Sequence, residues 1–248
     1  MKSLGVAIMA AGKGTRMQNK DVPKVCNLLN GRTLIEYVVD QARELNPEKI
    51  VVIAGHMREQ VVKAVAGPGV YFAIQEPQLG TAHAVEMTRP EFEGFEGDIL
   101  VLSGDAPLLR MSTLKRLITT HQQGNFAATM LVADAPDPIG YGRVLRTDTG
   151  LFDRVVEHKD ATEEERKISE INSGIYVFDA IKLFENLAKV GNDNAQMEYY
   201  LPDVLTFLKN QGEQVAVEMA ETFSEIHGIN TVEHLREAER ILAQRREA

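Results

Sequence analysis

Residues 4–17 read LGVAIMAAGKGTRM, an apolar run that leads directly into a loop with two glycines. The run over residues 4–9 has no charged or polar side chain, which is typical of a strand buried on both faces of a parallel sheet. Gly12 and Gly14 let the loop backbone approach a ligand closely, and its exposed N–H groups can bind an anion. The stretch therefore predicts an α/β fold with an anion site at the carboxyl end of its first strand.

Further apolar runs that stop at turns predict three more strands, each buried on both faces, over residues 50–54, 70–74 and 99–102. Helical spacing predicts intervening helices over residues 34–45, 57–66 and 112–123. Thr33 and Glu36 form a capping-box pattern at the first of these helices. The less regular second half predicts strands over residues 127–133, 143–146 and 173–178, and helices over 180–189 and 199–210. The alternation predicts a Rossmann-like, doubly wound mixed sheet.

The composition argues against several classes of protein. The chain has 248 residues and a formal net charge of -9, which disfavours non-specific binding to nucleic acid or anionic lipid. No apolar run approaches the roughly 20 residues that a membrane-spanning helix needs. The N-terminus lacks a signal-peptide cleavage pattern, and the single cysteine, Cys26, cannot form an internal disulfide. We therefore expect a cytoplasmic protein with no nucleic-acid or membrane partner.

Three cations surround the glycine loop. Lys13, Arg16 and Lys24 fall within a dozen residues of an acidic protein, which suggests a polyphosphate site. The loop is not a Walker A motif, because Gly14 rather than Ser or Thr follows Lys13, and it is not a dinucleotide fingerprint, because Met17 takes the third glycine position. The same sequence pattern would also arise if the glycines only formed a turn and the lysines only lay on the surface, with no ligand bound.

Asp105 follows the predicted strand 99–102 and would lie at the same sheet edge as the glycine loop. A carboxylate there can bind Mg²⁺ together with phosphate oxygens, although an aspartate before Pro107 could equally be a turn residue. The six histidines are scattered along the sequence without the spacing of a zinc site. Ser103 has no nucleophile-elbow sequence around it, so a hydrolase triad has no support.

Motifs in order along almost the whole chain resemble those of sugar-nucleotide pyrophosphorylases. The matching segments are residues 10–17, 23–24, 78–84, 104–108, 141–143, 156–161, 170–174, 194–196, 198–201 and 228–230. Together they resemble the uridylyltransferase domains of the bifunctional bacterial N-acetylglucosamine-1-phosphate uridylyltransferase/glucosamine-1-phosphate acetyltransferases. The resemblance implies a fold of the nucleotide-diphospho-sugar transferase type. It also implies one domain over residues 1–230, with a nucleotide-binding half at 1–110 and a sugar-binding half at 111–230, followed by a C-terminal helix at 231–248.

The resemblance also implies substrates, a cofactor and residue roles. The substrates would be UTP and N-acetylglucosamine 1-phosphate, the cofactor Mg²⁺, and the product a cell-envelope precursor. Nucleotide contacts are expected at Ala10, Ala11, Gly12, Lys13, Gly14, Gln75, Gly80 and Thr81. Catalytic contacts are expected at Arg16, Lys24 and Asp105, and metal contacts at Asp105 and Asn230. Sugar contacts are expected at Ser103, Gly142, Glu157, Asn172 and Asn230.

The chain departs from the family pattern in three ways. Ser103 stands where relatives usually have tyrosine, and Met197 where they usually have glycine, so the choice of sugar is open. The acetyltransferase β-helix is absent from the 248 residues, so we expect no acetyl transfer unless the chain is truncated, and a monomer or dimer rather than a trimer. Alternative functions are a UTP–glucose-1-phosphate uridylyltransferase or another sugar-1-phosphate nucleotidyltransferase, a cytidylyltransferase, and a non-catalytic nucleotide-sensing subunit.

Overall fold

The computed structural model describes residues 2–12, 14 and 21–247, of which residues 246 and 247 are described by their backbone only. The predicted ligand contacts Lys13 and Arg16 lie outside the described residues. The predictions for these two residues therefore stay predictions.

A mixed sheet of nine strands forms the centre of the fold. Its strands are β1 (Leu4–Ala10), β4 (Lys49–Ala54), β5 (Val70–Ile74), β6 (Asp98–Ser103), β7 (Ala128–Asp134), β8 (Arg143–Arg146), β9 (Phe152–Val156), β10 (Glu170–Asp179) and β11 (Val215–Met219). The main strand order is β11-β7-β10-β6-β1-β4-β5, and the hairpin β8–β9 attaches to β10. The four strands β6, β1, β4 and β5 run parallel, whereas β10 is antiparallel to both β6 and β7. A separate two-stranded ribbon consists of β2 (Leu28–Leu29) and β3 (Arg32–Thr33).

Helices cover both faces of this sheet, which confirms the predicted doubly wound architecture. The helices are α1 (Leu34–Glu44), α2 (Arg58–Val65), α3 (Thr81–Glu86), α4 (Met111–Gly124), α5 (Ala180–Leu187), α6 (Asp203–Asn210), α7 (Phe223–Ile226) and α8 (Val232–Glu247). One core cluster joins alternate residues of β1, such as Val6 and Ile8, to α1, α2 and α4. A second cluster joins Ala7 of the same strand to α3, α5 and α6.

The capping box predicted at the first helix is confirmed. Thr33 Oγ1 accepts the Glu36 N–H at 3.4 Å, and the Glu36 carboxylate accepts the Thr33 N–H at 2.7 Å. These contacts satisfy two donors that a helix N-terminus would otherwise leave open. Because α1 follows the β2–β3 ribbon directly, the cap fixes the point where the chain turns back onto the sheet.

Two predictions about the elements are wrong. Strand 70–74 is not buried on both faces, because β5 is the edge of the sheet and leaves Tyr71 46% and Ile74 39% exposed. The helix predicted from residue 199 begins only at Asp203, after turns that precede Pro202. The strand predicted over residues 173–178 is longer at both ends and has an irregularity between Asn172 and Tyr176.

The C-terminal helix packs on its own domain. Ala238 of α8 and Ile229 before it form a small core cluster with Leu29, Leu34 and Leu108. The helix therefore fixes the segment that precedes it, which includes Asn230. Among the described residues, no helix combines the length and the apolar character needed to cross a membrane.

Candidate functional site

A cavity of about 270 Å³ lies at the carboxyl ends of β1 and β6. We call it the nucleotide-side cavity. Its lining includes nine residues that the sequence predicted as site residues, namely Ala10, Ala11, Gly12, Lys24, Gln75, Gly80, Thr81, Ser103 and Asp105. The position agrees with the rule that ligands of α/β sheets bind where parallel strands end.

Glycine is required where the chain passes close to this cavity. Gly80 has a φ of +118°, and a Cβ there would lie 2.5 Å from the carbonyl oxygen of Tyr199. The Tyr199 backbone in turn pairs with Leu79 and Ala82, so the segment after β5 and the segment before α6 form one wall. Any side chain at position 80 would separate these two segments.

The amide of Gln75 is held in one orientation. Its Nε2 donates to the Gly80 carbonyl at 2.9 Å and lies 3.2 Å from His83 Nδ1. Gln75 is only 3% exposed, yet it lines the nucleotide-side cavity. Because the nitrogen is used inside the protein, the amide oxygen is the group that Gln75 can offer to a ligand donor.

Lys24, Asp105 and Asn230 form a compact polar cluster at one end of this cavity. The Lys24 ammonium makes a very short ion pair with Asp105 Oδ2 and donates to Asn230 Oδ1 at 2.6 Å. Ser103 Oγ donates to the other carboxylate oxygen, Asp105 Oδ1, at 2.6 Å. A Cβ at Gly228 would lie 2.9 Å from the Asp105 carboxylate, so glycine there permits the loop to approach.

The Asp105 carboxyl is held in its ionised form. Burial alone would raise the pKa of Asp105, but the charge of Lys24 and hydrogen bonds from Lys24 and Ser103 outweigh burial and lower it. The backbone supports the same arrangement, because Ile229 N–H donates to the Asp105 carbonyl at 2.9 Å. Two segments far apart in sequence are thus joined around one negative charge.

The oxygens of Asp105 and Asn230 suit a divalent cation. The Asp105 carboxylate and the Asn230 amide oxygen both contact the Lys24 ammonium group. The two oxygens are therefore close enough together to contact one positive charge. Mg²⁺ prefers such hard oxygen ligands, commonly one or two from the protein, and completes its shell with phosphate oxygens and water. No larger group of His, Cys, Asp and Glu in the described part of the chain is arranged to hold a metal ion.

A second cavity, of about 210 Å³, adjoins the first. We call it the sugar-side cavity; it shares Met9 and Thr81 with the nucleotide-side cavity. Three of the residues predicted to contact a sugar line it: Gly142, Glu157 and Asn172. The two cavities are therefore positioned to hold two ligands next to each other, with Met9 and Thr81 lining both.

An irregularity in β10 brings Asn172 to this cavity. Ser173 Oγ accepts the N–H of Ile175 and donates to the Leu131 carbonyl, and Gly174 has a φ of +77°. The Asn172 Oδ1 accepts the Tyr176 hydroxyl at 2.8 Å and the Gly174 N–H at 3.1 Å. Because both partners are donors, the oxygen must face them, and the Asn172 NH₂ group is the one that can donate to a ligand.

Glu157 is in a different electrostatic situation from Asp105. Burial raises the pKa of Glu157 to about 7, and repulsion from Asp160, Asp203 and Glu198 acts in the same direction, while Arg143 opposes it. A Cβ at Gly142 would lie 3.0 Å from Glu157 Oε1, so glycine leaves the carboxyl group room in the cavity. Glu157 is thus poised between its charged and neutral forms near neutral pH.

Comparison with known proteins identifies the family. A family model described as the MobA-like NTP transferase domain matches residues 6–171, more than half of the chain. The chain belongs to this family. It is 47% identical over 238 residues to the bifunctional protein GlmU of Listeria monocytogenes and 46% identical over 238 residues to that of Bacillus licheniformis. Each match covers 96% of this chain and 52% of the relative, so the chain spans about half the length of these curated relatives.

Solved structures of other NTP transferases share the fold. A protein described as a glucose-1-phosphate thymidylyltransferase from Bacillus anthracis aligns with a TM-score of 0.78, over 96% of this chain and 95% of the other. A UDP-glucose pyrophosphorylase aligns with a TM-score of 0.75, over 99% and 100% of the two chains. The two structures confirm the predicted Rossmann-like fold. Because both are only 18% identical to this chain, they show the fold alone. The GlmU matches confirm the resemblance that the sequence motifs indicated.

Three residues named for the family's sugar pocket lie elsewhere. Ser103 lines the nucleotide-side cavity beside Asp105, and Asn230 contacts Lys24 there; neither lines the sugar-side cavity. Met197 lines neither cavity and is 75% exposed. Its φ of +54° is left-handed, a conformation that glycine adopts more readily than methionine.

Several lining residues were not named from the sequence. Gln78 and Glu198 line the nucleotide-side cavity, and Tyr141 lines the sugar-side cavity. All three lie inside the motif segments that carried the family resemblance, so a signal for them existed. Tyr176 is different, because it lies in an apolar strand and reads as a core residue although it contacts Asn172.

Proposed function

We propose that this chain transfers a uridylyl group from UTP to N-acetylglucosamine 1-phosphate, giving UDP-N-acetylglucosamine and pyrophosphate, with Mg²⁺ as cofactor and in the cytoplasm. The observation that carries this proposal is the contact between two chemically different cavities. One has the part-buried ammonium group of Lys24 beside a carboxylate and an amide, and the other contains Asn172 and Glu157. Because Met9 and Thr81 line both, the cavities adjoin, which suits a reaction between two bound molecules.

The nucleotide-side cavity suits the base and phosphates of UTP. The Gln75 amide oxygen can accept the single ring N–H of uracil, whereas cytosine has no hydrogen on that nitrogen. Lys24 provides positive charge for the phosphates. We further expect Arg16 and the loop residues Lys13 and Gly14 to contact the triphosphate, as the motif resemblance implies.

The sugar-side cavity suits an acetamido sugar. The Asn172 NH₂ group can donate to a hydroxyl or to the acetamido carbonyl. The Glu157 carboxylate, when ionised, can accept hydroxyl hydrogens or the amide N–H. We place the N-acetylglucosamine ring here, with Gly142 beneath it where no side chain takes up the space.

The chemistry requires a phosphate oxygen of the sugar phosphate to attack the α-phosphorus of UTP in line. A new P–O bond forms, the bond from the α-phosphorus to the bridging oxygen of the β-phosphate breaks, and pyrophosphate leaves with the electron pair. The attacking phosphate is largely ionised near neutral pH, so the chain has to supply positioning and positive charge rather than a general base. Lys24 is the described residue best suited to offset charge on the reacting phosphates.

The cation would be held by Asp105 and Asn230. When bound, Mg²⁺ supplies positive charge that reduces the repulsion between two anionic reactants. The Lys24 ammonium now lies between the same two oxygens. We therefore expect Lys24 to leave this position for the phosphates when the metal binds, which makes its positive charge available where negative charge develops.

A panel of substrates tests the proposal. Release of pyrophosphate is measured with UTP, CTP, ATP, GTP and dTTP, each combined with N-acetylglucosamine 1-phosphate, glucosamine 1-phosphate or glucose 1-phosphate, with Mg²⁺ or with EDTA. We expect the highest kcat/KM for UTP with N-acetylglucosamine 1-phosphate and no turnover in EDTA. A preference for glucose 1-phosphate or for CTP would overturn the assigned substrates. Binding of UTP by folded protein without turnover of any sugar phosphate would favour a nucleotide sensor.

A further inference from the structure

Two histidines that the sequence left scattered are in contact in the fold. His227, at the end of α7, and His234, in α8, have ring centroids 4.2 Å apart. His227 Nε2 lies 3.0 Å from His234 Nδ1. The turn that joins the two helices brings the two rings together. Their spacing in the sequence matches no known metal-binding motif, so the sequence did not predict the contact.

Each histidine also contacts one side of the proposed active site. The Tyr141 hydroxyl lies 3.0 Å from His227 Nδ1, and the backbone N–H of Asn230 donates to His234 Nδ1 at 3.3 Å. Tyr141 lines the sugar-side cavity, whereas Asn230 contacts Lys24 beside the nucleotide-side cavity. The histidine pair therefore forms a hydrogen-bonded connection between Tyr141 of the sugar-side cavity and Asn230 beside the nucleotide-side cavity, and it does not pass through the shared residues Met9 and Thr81.

The backbone N–H of Asn230 gives the hydrogen bonds of this connection a direction. Because an N–H can only donate, His234 Nδ1 must be an acceptor and carry no hydrogen. His227 Nε2, 3.0 Å from the same nitrogen, can then only donate, so Asn230 N–H and His227 share the single lone pair of His234 Nδ1. A neutral His227 then has an acceptor at Nδ1, to which the Tyr141 hydroxyl donates. Burial is the largest cause that lowers the pKa of His227, to about 4, so the neutral ring is the form present near neutral pH.

The histidines lie outside both cavities. Neither His227 nor His234 lines the nucleotide-side or the sugar-side cavity; both line a separate, mainly apolar cavity of about 300 Å³. The His227 ring packs edge-on against Phe223, which also packs edge-on against Tyr141. Their geometry therefore suits residues that hold other groups in place rather than residues that touch a substrate.

The Tyr141 end of the connection is anchored on its backbone side. Arg143 is only 1% exposed, and its guanidinium makes a very short hydrogen bond to the Tyr141 carbonyl. A buried guanidinium needs such acceptors, because an unpaired buried charge is costly. Tyr141 lies in the loop over residues 135–142 between β7 and β8, which we call the sugar-side loop, and it is held at its carbonyl by Arg143 and at its hydroxyl by His227.

We propose that Tyr141, His227 and His234 form a positioning relay that couples the sugar-side loop to Asn230, so that the sugar phosphate and the divalent cation favour each other's binding. This inference rests on the proposed function for the identity of the two ligands. It assigns no chemical step to the histidines. It predicts that a change at either end of the relay alters binding at the other end.

Two variants test the coupling, each read at the end it does not touch. Tyr141→Phe removes the hydroxyl on the sugar side. We expect the affinity of the free protein for Mn²⁺, measured by water-proton relaxation, to fall about three- to tenfold. His234→Leu removes the acceptor on the Asn230 side, and we expect the KM for N-acetylglucosamine 1-phosphate to rise by a similar factor, with a smaller change in kcat.

Matched variants separate coupling from a general loss of structure. His234→Asn keeps an acceptor oxygen near the position of Nδ1 and should restore the KM to within about twofold of wild type. Thr120→Val also loses one part-buried hydroxyl hydrogen bond, to the Glu218 carboxylate at 2.9 Å, but it lies outside the relay and lines neither cavity, so it should leave Mn²⁺ binding unchanged. The melting temperature of each variant measures how much the substitution destabilises the fold, independently of ligand binding.

The outcomes distinguish the relay from the proposed function. If Tyr141→Phe lowers the melting temperature but binds Mn²⁺ as wild type does, or if His234→Leu keeps the wild-type KM in an active enzyme, the relay is wrong. If Tyr141→Phe weakens Mn²⁺ binding while the wild-type chain forms no UDP-sugar, the connection to Asn230 stands and the proposed function fails. Weaker Mn²⁺ binding together with a raised KM supports both.

Discussion

Asp105 in the nucleotide-side cavity is neutralised by Lys24, whereas Glu157 in the sugar-side cavity faces the carboxyl groups of Asp160, Asp203 and Glu198. The pKa of the first carboxyl is therefore lowered and that of the second is raised to about 7. By our proposal, this difference matches the ligand of each cavity. A site for polyphosphate and metal needs permanent charges, whereas a site for an uncharged sugar ring needs acceptors without a strong field.

The two cavities also differ in how the backbone builds them. The nucleotide-side cavity lies where the parallel strands β1 and β6 end. The sugar-side cavity depends on the irregular part of β10, the β8–β9 hairpin and a loop at Tyr141. Regular elements thus form the charged half, and local irregularities shape the half that, by our proposal, selects the second substrate.

The largest effect is expected at Asp105. Asp105→Ala removes the carboxylate that pairs with Lys24 and, by our proposal, the principal metal ligand, so kcat should fall about a thousandfold. The measurement is pyrophosphate release, with circular dichroism to establish that the variant is folded. Asp153→Ala is the matched control, because it also loses an ion pair with lysine, Lys209, but lines neither cavity. Mg²⁺-dependent activity of the Asp105 variant at the wild-type level would refute the assignment.

Lys24→Met should separate catalysis from metal binding. Turnover should fall about a hundredfold, because positive charge beside the phosphates is lost. Mn²⁺ binding to the free protein should instead become tighter, about five- to tenfold, because the ammonium no longer competes for Asp105 and Asn230. Titration calorimetry without nucleotide measures the second effect.

The control for this variant is Lys209→Met, which breaks the surface pair with Asp153 and should change neither turnover nor Mn²⁺ affinity. Unchanged or weaker Mn²⁺ binding by Lys24→Met would mean that Lys24 does not occupy the cation position in solution.

Glu157→Gln should weaken sugar binding and stabilise the fold at the same time. Loss of the charged acceptor should raise the KM for the sugar phosphate about tenfold, with kcat less affected. In the wild type the KM should itself rise as the pH falls through about 7, as Glu157 becomes protonated, and the variant should lack this dependence. Steady-state kinetics across that pH range test both statements.

The stability effect of Glu157→Gln has a definite sign. The pKa of Glu157 rises from 4.5 to about 7 on folding, so the folded protein holds this proton more tightly. The cost of ionising Glu157 is absent below the unfolded pKa, grows between the two values and is fully present above about 7. The variant should therefore melt a few degrees above wild type at about pH 8 and close to it at about pH 4.5. A lower melting temperature at the higher pH would contradict this electrostatic account.

The smallest effect is expected at Met197. Its left-handed φ is unfavourable for a side chain with a Cβ, so Met197→Gly should change the free energy of unfolding by at most about 1 kcal/mol, in the stabilising direction. Because the side chain is 75% exposed and lines neither cavity, the KM values should stay within about twofold. Urea denaturation and kinetics of the variant measure both. A large change in sugar preference would show that Met197 contacts the substrate.

The sequence predicted the parallel half of the fold well, for a physical reason. Strands covered on both faces read as continuous apolar runs, which is why β1, β4 and β6 were found within one residue at each end. The missed strands β9 and β11 are partly exposed and include charged residues, so neither gives an apolar run. The short helix α3 begins directly after Gly80, whose unusual φ accompanies a close approach to the backbone of Tyr199, more than a hundred residues away.

The site divides in the same way. Asp105 could be predicted to lie at the ligand edge, because strand ends meet there. That Lys24 would contact Asn230 could not be predicted from spacing, since the packing of α8 on the domain fixes the segment before it. His227 and His234, which connect Tyr141 to Asn230 in the fold, could not be predicted to be in contact, because their pairing depends on the turn between α7 and α8.

The central claim is that a sugar phosphate in one cavity attacks the α-phosphorus of UTP held in the other. N-acetylglucosamine 1-phosphate labelled with oxygen-18 in its non-bridging phosphate oxygens, incubated with UTP and Mg²⁺ and followed by ³¹P NMR and mass spectrometry, tests it most directly. The account predicts that all of the label stays in UDP-N-acetylglucosamine and that the pyrophosphate is unlabelled. Label in pyrophosphate, or a sugar diphosphate as the product, would contradict it.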